Sequence, residues 1–476
     1  MIAFAILSHL PLAAATPASG VANAGISQAD PVVPILLAIV FIVFAAMLGG
    51  LAMRRIGQPA VLGELLVGML VANVAYALHS PVLTVLREGP VILNIVDTTL
   101  THAVTLQQAA QQILLPSESS RRVIEVLGGP HAVAAVTVYQ FVDQISRIAI
   151  IFLLFLVGLE TSLHEMRRLG WLSLGVTLVG VTSSWACGFL VMSWIDPAAG
   201  FAAHLFVGGI LTATSVAISV RVFRDIRQST SPEARIVLGA SVIDDVLGLI
   251  ILAVTSGLVA TGVVNVSLIA SITARAALFL VAAIGIGVWL APRILKRLHH
   301  YRIANLYMLF GLGLAFVYAW LATRFDLATI IGAFAAGLVL EDFFKHGIEQ
   351  PEALREILSR LEALIVPIYF VLVGMQVKLE AFTNSSTLWA AAGLTVAAIL
   401  GKFLSGTVCI RRYRWLVVSI AMIPRGEVSL IFASLGRSLG VVSDAVFAAV
   451  VAMVMITTFL APPLLKLAYR SAPQTS

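Results

Sequence analysis

The sequence predicts an all-α polytopic membrane protein with about thirteen transmembrane helices. Of its 476 residues, 60% are hydrophobic and only 11% are charged, and the mean hydropathy is +1.01. A soluble protein of this length cannot bury so much apolar surface, because its interior volume is filled first. Runs of about 20 apolar residues, long enough to cross a bilayer as helices, recur along the whole chain. The net charge of +6 comes from short basic clusters between these runs, which is a topology signal and excludes a nucleic-acid-binding face.

The thirteen spans follow from apolar runs between charged, proline or glycine breaks. They are expected at residues 32–53, 59–79, 144–163, 171–195, 201–222, 234–260, 268–291, 304–323, 326–342, 362–378, 386–409, 415–436 and 441–466. Between spans two and three, residues 80–143 form an extended external loop. Its glutamine-rich part fits an amphipathic surface helix. Span three could also begin earlier than residue 144, near His131.

The two ends of the chain lie outside these spans. Residues 1–31 form an N-terminal segment in which a short apolar stretch and the small residues from Ala22 to Ala24 resemble a signal-peptide cleavage site. No Lys or Arg precedes that stretch, so cleavage stays open. Residues 467–476 are expected to form a short cytoplasmic tail.

Charge sets the predicted orientation. With the first span running inward, twenty Lys and Arg residues fall on one side of the membrane and eight on the other. The positive-inside rule then predicts a multi-pass protein of the inner (plasma) membrane, with its N-terminus outside and its C-terminus in the cytoplasm.

Two short patterns occur twice and predict an internal repeat. The run from Gly63 to Gly68 in span two resembles residues 332–337 in span nine, and residues 155–160 in span three resemble residues 371–376 in span ten. Seven spans separate each pair, so the two halves enter the membrane in opposite directions. Inverted repeats are typical of secondary transporters, which bind ions near the midplane. Glycine-rich helices also look alike for packing reasons alone.

Span six carries two adjacent carboxylates, Asp244 and Asp245, roughly 15 Å deep in the bilayer. Each ionised carboxylate at that depth costs about 2.5–3.5 kcal/mol on insertion scales, which indicates a functional site more than a structural polar pair. Neighbouring helical residues point about 100° apart, so the two cannot share one proton. Lys402 lies within span eleven and is expected to pair with one aspartate, leaving the other to bind an ion.

Two further spans contain breaks. Span twelve has Pro424 in mid-span, followed by Arg425 and Glu427, whose charges are expected to neutralise each other and the exposed helix ends. Span five offers the hydroxyl groups of Thr212, Thr214 and Ser215. These either serve an ion or bond back to the preceding turn. Interrupted helices in matching positions of two halves point to a transporter site.

These residues, together with the motif from Ile56 to Glu64, resemble the sodium/proton exchanger domain of the second cation:proton antiporter family over about residues 32–466. The resemblance implies a homodimer with a dimerisation domain. It also implies a six-helix core, about residues 171–260 and 386–466, with two unwound crossing helices. Asp245 would then bind Na⁺ or H⁺, and Asp244 would pair with Lys402, a set associated with electrogenic exchange.

The expected function is secondary exchange of Na⁺ (or Li⁺ or K⁺) for H⁺ by competition at Asp245, assisted by Thr212, Thr214 and Ser215 as oxygen ligands. A K⁺/H⁺ antiporter and a cation channel are the alternatives. An intramembrane aspartyl protease is a remote one, because it needs aspartates on different helices. No enzyme activity, cofactor or nucleic-acid partner is expected. Lipids, Na⁺, H⁺ and a second copy of the chain are the expected partners.

Four other residues are interpreted as structural. Cys187 and Cys409 lie in or beside apolar spans and read as small core residues, not as a disulfide or a metal site. Glu64 and Asp444 lie closer to span ends and are interpreted as interfacial or packing residues.

Overall fold

The computed structural model is helical in the part of the chain that it describes. That part comprises residues 32–89, 92–93, 95–96, 98–99, 105–113, 118–160, 171–215, 219, 223, 228, 231–261, 266–299, 306–325, 327–347, 351–410 and 413–471. No β-strand occurs among these residues. The predicted all-α class is therefore confirmed.

The α-helices have the following bounds in chain order: α1 Val32–Arg55, α2 Ala60–Ala77, α3 Pro81–Glu88, α4 Leu106–Ile113, α5 Glu118–Gly128, α6 Ala132–Glu160, α7 Trp171–Ile195, α8 Gly200–Ile210, α9 Pro232–Thr261, α10 Val266–His299, α11 Leu306–Arg324, α12 Thr329–Gly347, α13 Pro351–Met375, α14 Ser385–Phe403, α15 Trp415–Ala421, α16 Glu427–Ser438 and α17 Asp444–Ser471. Short 3₁₀ segments cover Pro197–Ala199, Leu379–Thr383 and Leu404–Cys409.

Each of the thirteen predicted spans coincides with at least one of these helices. Within the described residues, eight helices are long and apolar enough to cross a membrane, and four shorter apolar helices accompany them. Helix α6 begins at Ala132, so the early start of span three is confirmed. The total number of crossings stays a prediction.

Helices α10 and α13 extend far past the predicted spans at their charged ends. Helix α10 continues to His299, and α13 already begins at Pro351. A span predicted from apolar residues ends at the first charged residues, but the helix itself continues, because Leu, Lys, Arg and Glu are good helix formers. Pro351 also occupies the first helical position, where its missing N–H has no intrahelical partner to lose.

The described residues up to Ala149, together with Ala363–Leu379, form one compact unit. The amphipathic helices α3 to α5, which lie in the predicted external loop, turn their apolar faces into its core, and α4 is the expected surface helix. Core side chains of this unit include Ile35, Ala38, Ile42, Val82, Val85, Leu86, Ala109, Val123, Leu127, Val138, Leu372 and Met375. The described part of the predicted external loop is thus anchored by burial of apolar side chains.

The second unit comprises the described residues of Ile150–Glu362 and Glu380–Ser476. One of its apolar clusters joins α7, α9, α15 and α17, and includes Val176, Val237, Ala240, Val417, Met422 and Leu465. Every residue that the sequence analysis assigned to an ion site belongs to this unit.

The internal repeat is visible in helix packing. In the first unit, α2 approaches α1 so closely at Gly63 that a Cβ there would collide with the carbonyl group of Gly49. In the second unit, α12 approaches α11 in the same way, and a Cβ at Gly332 would collide with the carbonyl group of Tyr318. The two contacts are related by the sequence offset that relates residues 63–68 to residues 332–337.

A second pair of contacts repeats in the same register. In the first unit, Gly68 of α2 lies against the carbonyl of Val371 in α13, and in the second unit Gly337 of α12 lies against the carbonyl of Phe155 in α6. The reciprocal contacts are Gly374 with Leu65 and Gly158 with Phe334. Chance similarity of glycine-rich helices does not reproduce three contacts at matched positions in both units, so the predicted internal repeat is confirmed.

Candidate functional site

A fully buried ion pair lies in the middle of α9. Lys402 Nζ of α14 is 2.8 Å from Asp244 Oδ1 and 2.9 Å from Asp244 Oδ2, and both side chains are 0% exposed. A buried charge is tolerated only when it is paired and hydrogen-bonded, and the bidentate geometry meets that condition. The pairing of Lys402 with one of the two aspartates is therefore as predicted, and Asp244 is the partner.

Helix α7 holds this pair in place. Gly180 leaves room for the lysine, because a Cβ there would lie 3.3 Å from Lys402 Cδ. Hydroxyl groups of the same helix fasten α9 alongside it: Thr177 Oγ1 donates to the carbonyl of Ala240 at 2.8 Å. The backbone of Ser184 contacts α14 at Gly401, one residue before the lysine. The ion pair thus lies within a frame of three packed helices, α7, α9 and α14.

Two helix breaks meet beside this frame. Helix α8 ends at Ile210 and α15 ends at Ala421, and both are followed by non-helical backbone. The backbone N–H of Ser215 donates to the carbonyl of Pro424 at 2.9 Å, which joins the two breaks directly. Gly426 is required there, since a Cβ would lie 2.6 Å from the Ser215 hydroxyl oxygen. The expected crossing of spans five and twelve is what the structure contains.

The carbonyl groups at the two breaks have serine partners. Ser429 Oγ, on α16, donates to the carbonyl of Ile210 at 3.0 Å. Ser219 Oγ donates to the carbonyl of Ala421 at 2.5 Å. The last carbonyl groups of a helix lack intrahelical donors, so these two bonds satisfy groups that would otherwise be buried and unpaired.

Arg425 closes the crossing with its guanidinium group, which is fully buried. It donates to the carbonyl oxygens of Ala213 at 2.8 Å and Ala398 at 3.1 Å, and to Ser184 Oγ at 3.2 Å. Its positive charge lies at the C-terminal end of α8, where the helix dipole is negative. The predicted neutralisation of a helix end by Arg425 is thus present.

The threonine hydroxyls of the first break are buried at the same place. Thr212 Oγ1 donates to the carbonyl of Gly209 at 2.8 Å, which leaves its lone pairs available as acceptors. It lies 4.0 Å from a Cβ built at Gly248, one helical turn after Asp244. Thr214 Oγ1 has no hydrogen-bond partner in the described part of the chain, and a buried hydroxyl without a partner requires an explanation. A bound cation would provide one.

Comparison with known proteins agrees with this geometry. The sequence matches the family model "Sodium/hydrogen exchanger, transmembrane" over residues 39–468. The chain belongs to the sodium/hydrogen exchanger family. It is 33% identical over 447 residues to the high-affinity Na⁺/H⁺ antiporter NhaS3 of Synechocystis, an alignment that covers 92% of this chain and 90% of that protein.

Other members of the exchanger family are similar over most of their length. The Na⁺/H⁺-K⁺ antiporter GerN of Bacillus cereus is 30% identical over 357 residues, which cover 74% of this chain and 89% of GerN. The solved structure of the sodium proton antiporter MjNhaP1 from Methanocaldococcus jannaschii at pH 8 superposes with a TM-score of 0.60 at 17% identity. That superposition covers 93% of this chain and 99% of the other. At this identity the likeness establishes the fold, and the family match establishes a membrane-embedded exchanger.

Some predicted residues of this exchanger lie outside the described side chains. The backbone of Asp245 follows Asp244 in α9 and that of Glu427 begins α16, but neither side chain is among those described. Asp444 is a helix-end residue, as interpreted, with its Oδ1 2.7 Å from Arg437 Nη2. Both cysteines are free. The ion-binding roles of the site residues therefore stay predictions.

Sequence reasoning missed the residues that support the site. Gly180, Ser184 and Ala398 were not singled out, because small residues in a membrane helix most often serve packing alone. Ser219 and Ser429 could equally have been packing residues. The only sequence feature that marked these residues was a small or hydroxyl side chain close to a helix break or to a charged residue.

Proposed function

We propose that this exchanger transports Na⁺ against H⁺ by alternating occupancy of one carboxylate, Asp245. The observation that carries the proposal is the buried Lys402–Asp244 ion pair, mid-way along α9 and beside two crossing helix breaks. Because Lys402 engages both oxygens of Asp244, that carboxylate is neutralised in place. The adjacent carboxylate is then the group left to carry the cargo.

The oxygen ligands proposed for the cation are those of the first break. Thr212 and Thr214 present buried hydroxyl oxygens next to α9, and hard cations such as Na⁺ prefer oxygen donors. Ser215 contributes its hydroxyl from the residue that joins the two breaks. The carbonyl oxygens of Thr212 and Ala213 accept from Arg425, so at these two residues the cation is offered the Thr212 hydroxyl and not the carbonyls.

Exchange follows from the energetics of a buried charge. A bare carboxylate is costly to move past an apolar barrier, so Asp245 has to be neutral, with either a proton or a cation, when the site changes its access. Each cargo therefore excludes the other, and no enzymatic step or cofactor is involved. If Lys402 also releases a proton when the cation arrives, transport is electrogenic and is driven by about 2.3 kcal/mol per charge for each 100 mV.

Potassium is a second candidate cargo, favoured by the similarity to GerN, whose name includes K⁺. An aspartyl protease is disfavoured, since Asp244 is committed to Lys402 and its neighbour lies on the same helix. We place the protein in the inner membrane as a homodimer, with the N-terminus outside and the C-terminus inside.

The decisive experiment uses purified protein in proteoliposomes with a pH-sensitive dye, titrated with Na⁺, Li⁺ and K⁺. Asp245→Asn is expected to abolish exchange while the protein still elutes as a single species on gel filtration. Asp444→Asn is the matched control, because that acid lies at a helix end and pairs with Arg437, and it is expected to keep exchange. Wild-type rates in Asp245→Asn would exclude the site. Single-channel currents would instead identify a channel.

Electrogenicity has a separate test. Clamping the membrane potential with valinomycin and K⁺ is expected to change the Na⁺-driven rate. A rate that is the same at every clamped potential would rule out the proton release from Lys402 but leave exchange itself intact.

A further inference from the structure

The cytoplasmic end of α10 carries a dense basic cluster that the exchange mechanism does not use. Residues 293–302 contain four Lys and Arg residues and two His residues, and no Asp or Glu occurs anywhere from residue 246 to residue 325. The positive charge is therefore not balanced by acids along the neighbouring chain. Its members are Arg293, Lys296, Arg297, His299, His300 and Arg302.

The exposed face of α10 leads directly into this cluster. Leu278, Ile286 and Trp289 are 64%, 58% and 59% exposed, and they follow one another at helical spacing. Arg293 and Arg297 are also exposed and continue the same stripe at intervals of four residues. The apolar window of this helix ends at Ile294, so the stripe changes from apolar to cationic at the membrane boundary.

Arg293 and Arg297 both present guanidinium groups that can bind an anion. The guanidinium carbon of Arg293 lies 4.0 Å from the centre of the Trp289 ring, and Nη1 donates to the carbonyl of Trp289, which fixes the side chain at the interface. Arg297 makes no ion pair or hydrogen bond with the described residues. Guanidinium groups bind phosphate in a bidentate manner.

We propose that this surface binds an anionic glycerophospholipid. The acyl chains lie along Leu278 and Ile286, and Trp289 sits at the level of the ester groups. The phosphate is bound by Arg293 and Arg297. Charge complementarity selects the occupant: each Lys or Arg near an anionic surface contributes about 1 kcal/mol, whereas a zwitterionic headgroup gains little from them.

The test is lipid binding to the detergent-purified protein, measured by native mass spectrometry. Dioleoylphosphatidylglycerol is titrated in parallel with dioleoylphosphatidylcholine. The wild type is expected to bind the anionic lipid preferentially. The double variant R293Q/R297Q is expected to bind it about 30-fold more weakly, which is two charges at that contribution, with the zwitterionic lipid unchanged.

The chain offers a matched control. Arg324 stacks on Trp320 at 5.0 Å at the end of α11, is also exposed, and has Asp326 nearby in sequence instead of further cations. R324Q is expected to bind the anionic lipid like the wild type. The charge-retaining R293K/R297K is expected to bind it more tightly than R293Q/R297Q but more weakly than the wild type, because lysine keeps the charge and loses the bidentate donors. Gel filtration checks that each variant is folded.

Three results would overturn the proposal. The first is undiminished binding of the anionic lipid by R293Q/R297Q. The second is equal affinity of the wild type for both lipids. The third is competition by glycerol phosphate at the lipid's own concentration, which would show a site for a free phosphate and not for a lipid.

Discussion

Removing one partner of the Lys402–Asp244 pair is expected to destabilise the protein more than removing both. At 2.8 Å the Coulomb attraction is about 6 kcal/mol with an effective dielectric constant of 20, and the desolvation of two fully buried charges offsets most of it. Lys402→Met leaves the Asp244 carboxylate buried without a cation, and Asp244→Asn leaves the ammonium group without an anion. Each single change should cost about 3–5 kcal/mol.

The double variant Lys402→Met/Asp244→Asn replaces both charges by groups of similar size. Additive effects would give a loss of about 6–10 kcal/mol, whereas we expect the double variant to be more stable than either single one. The assay is equilibrium unfolding in mixed micelles for all four proteins, analysed as a double-mutant cycle. A double variant whose loss equals the sum of the single losses would contradict a direct buried pair and refute the reasoning.

Three further predictions concern the supporting residues. Arg425→Lys should lower the unfolding free energy by at least about 2 kcal/mol in the same assay, because one ammonium group cannot reach the acceptors on α7, on α14 and in the break after α8 together. An unchanged value would argue against the bridging role. Thr214→Val should leave stability within about 1 kcal/mol but raise the KM for Na⁺ in proteoliposomes about tenfold, and an unchanged KM would remove Thr214 from the ligand set. Gly337→Ala should lower the melting temperature, since its Cβ meets the Phe155 backbone, while the matched Gly313→Ala, which faces open space, should not. Equal effects of both alanines would contradict the close contact.

Much of the fold could be predicted because the bilayer imposes a simple rule. Apolar length locates helices, and the thirteen spans all correspond to helices in the structure. The structure of the predicted external loop, residues 80–143, was harder to predict. Its helices α3 to α5 are short and amphipathic, and only the tertiary contacts of residues such as Val85 and Val123 show that they belong to a core.

The charged part of the site could also be predicted, because ionisable residues in mid-membrane are costly and therefore informative. On that basis Lys402 is expected to pair with one of the two aspartates, and only the resemblance to the exchanger family selects Asp244, the partner that the structure shows. The uncharged residues that support the site could not be predicted. Ser184 and Ala398 bind Arg425 through a hydroxyl and a backbone carbonyl, and neither group is distinguishable in sequence from those that serve packing.

The contact between α2 and α13 has a consequence for biosynthesis. Gly68 lies against the carbonyl of Val371, and Asn73 Nδ2 donates to the carbonyl of Val377, 304 residues further along, at 2.8 Å. At a synthesis rate of about 5–20 residues per second, the ribosome needs roughly 15–60 s to synthesise the chain between these two segments. During that interval the glycine face of α2 has to be shielded by lipid or by an insertion chaperone. Slowing translation between the two segments should therefore expose nascent chains to membrane proteases before the first unit can close.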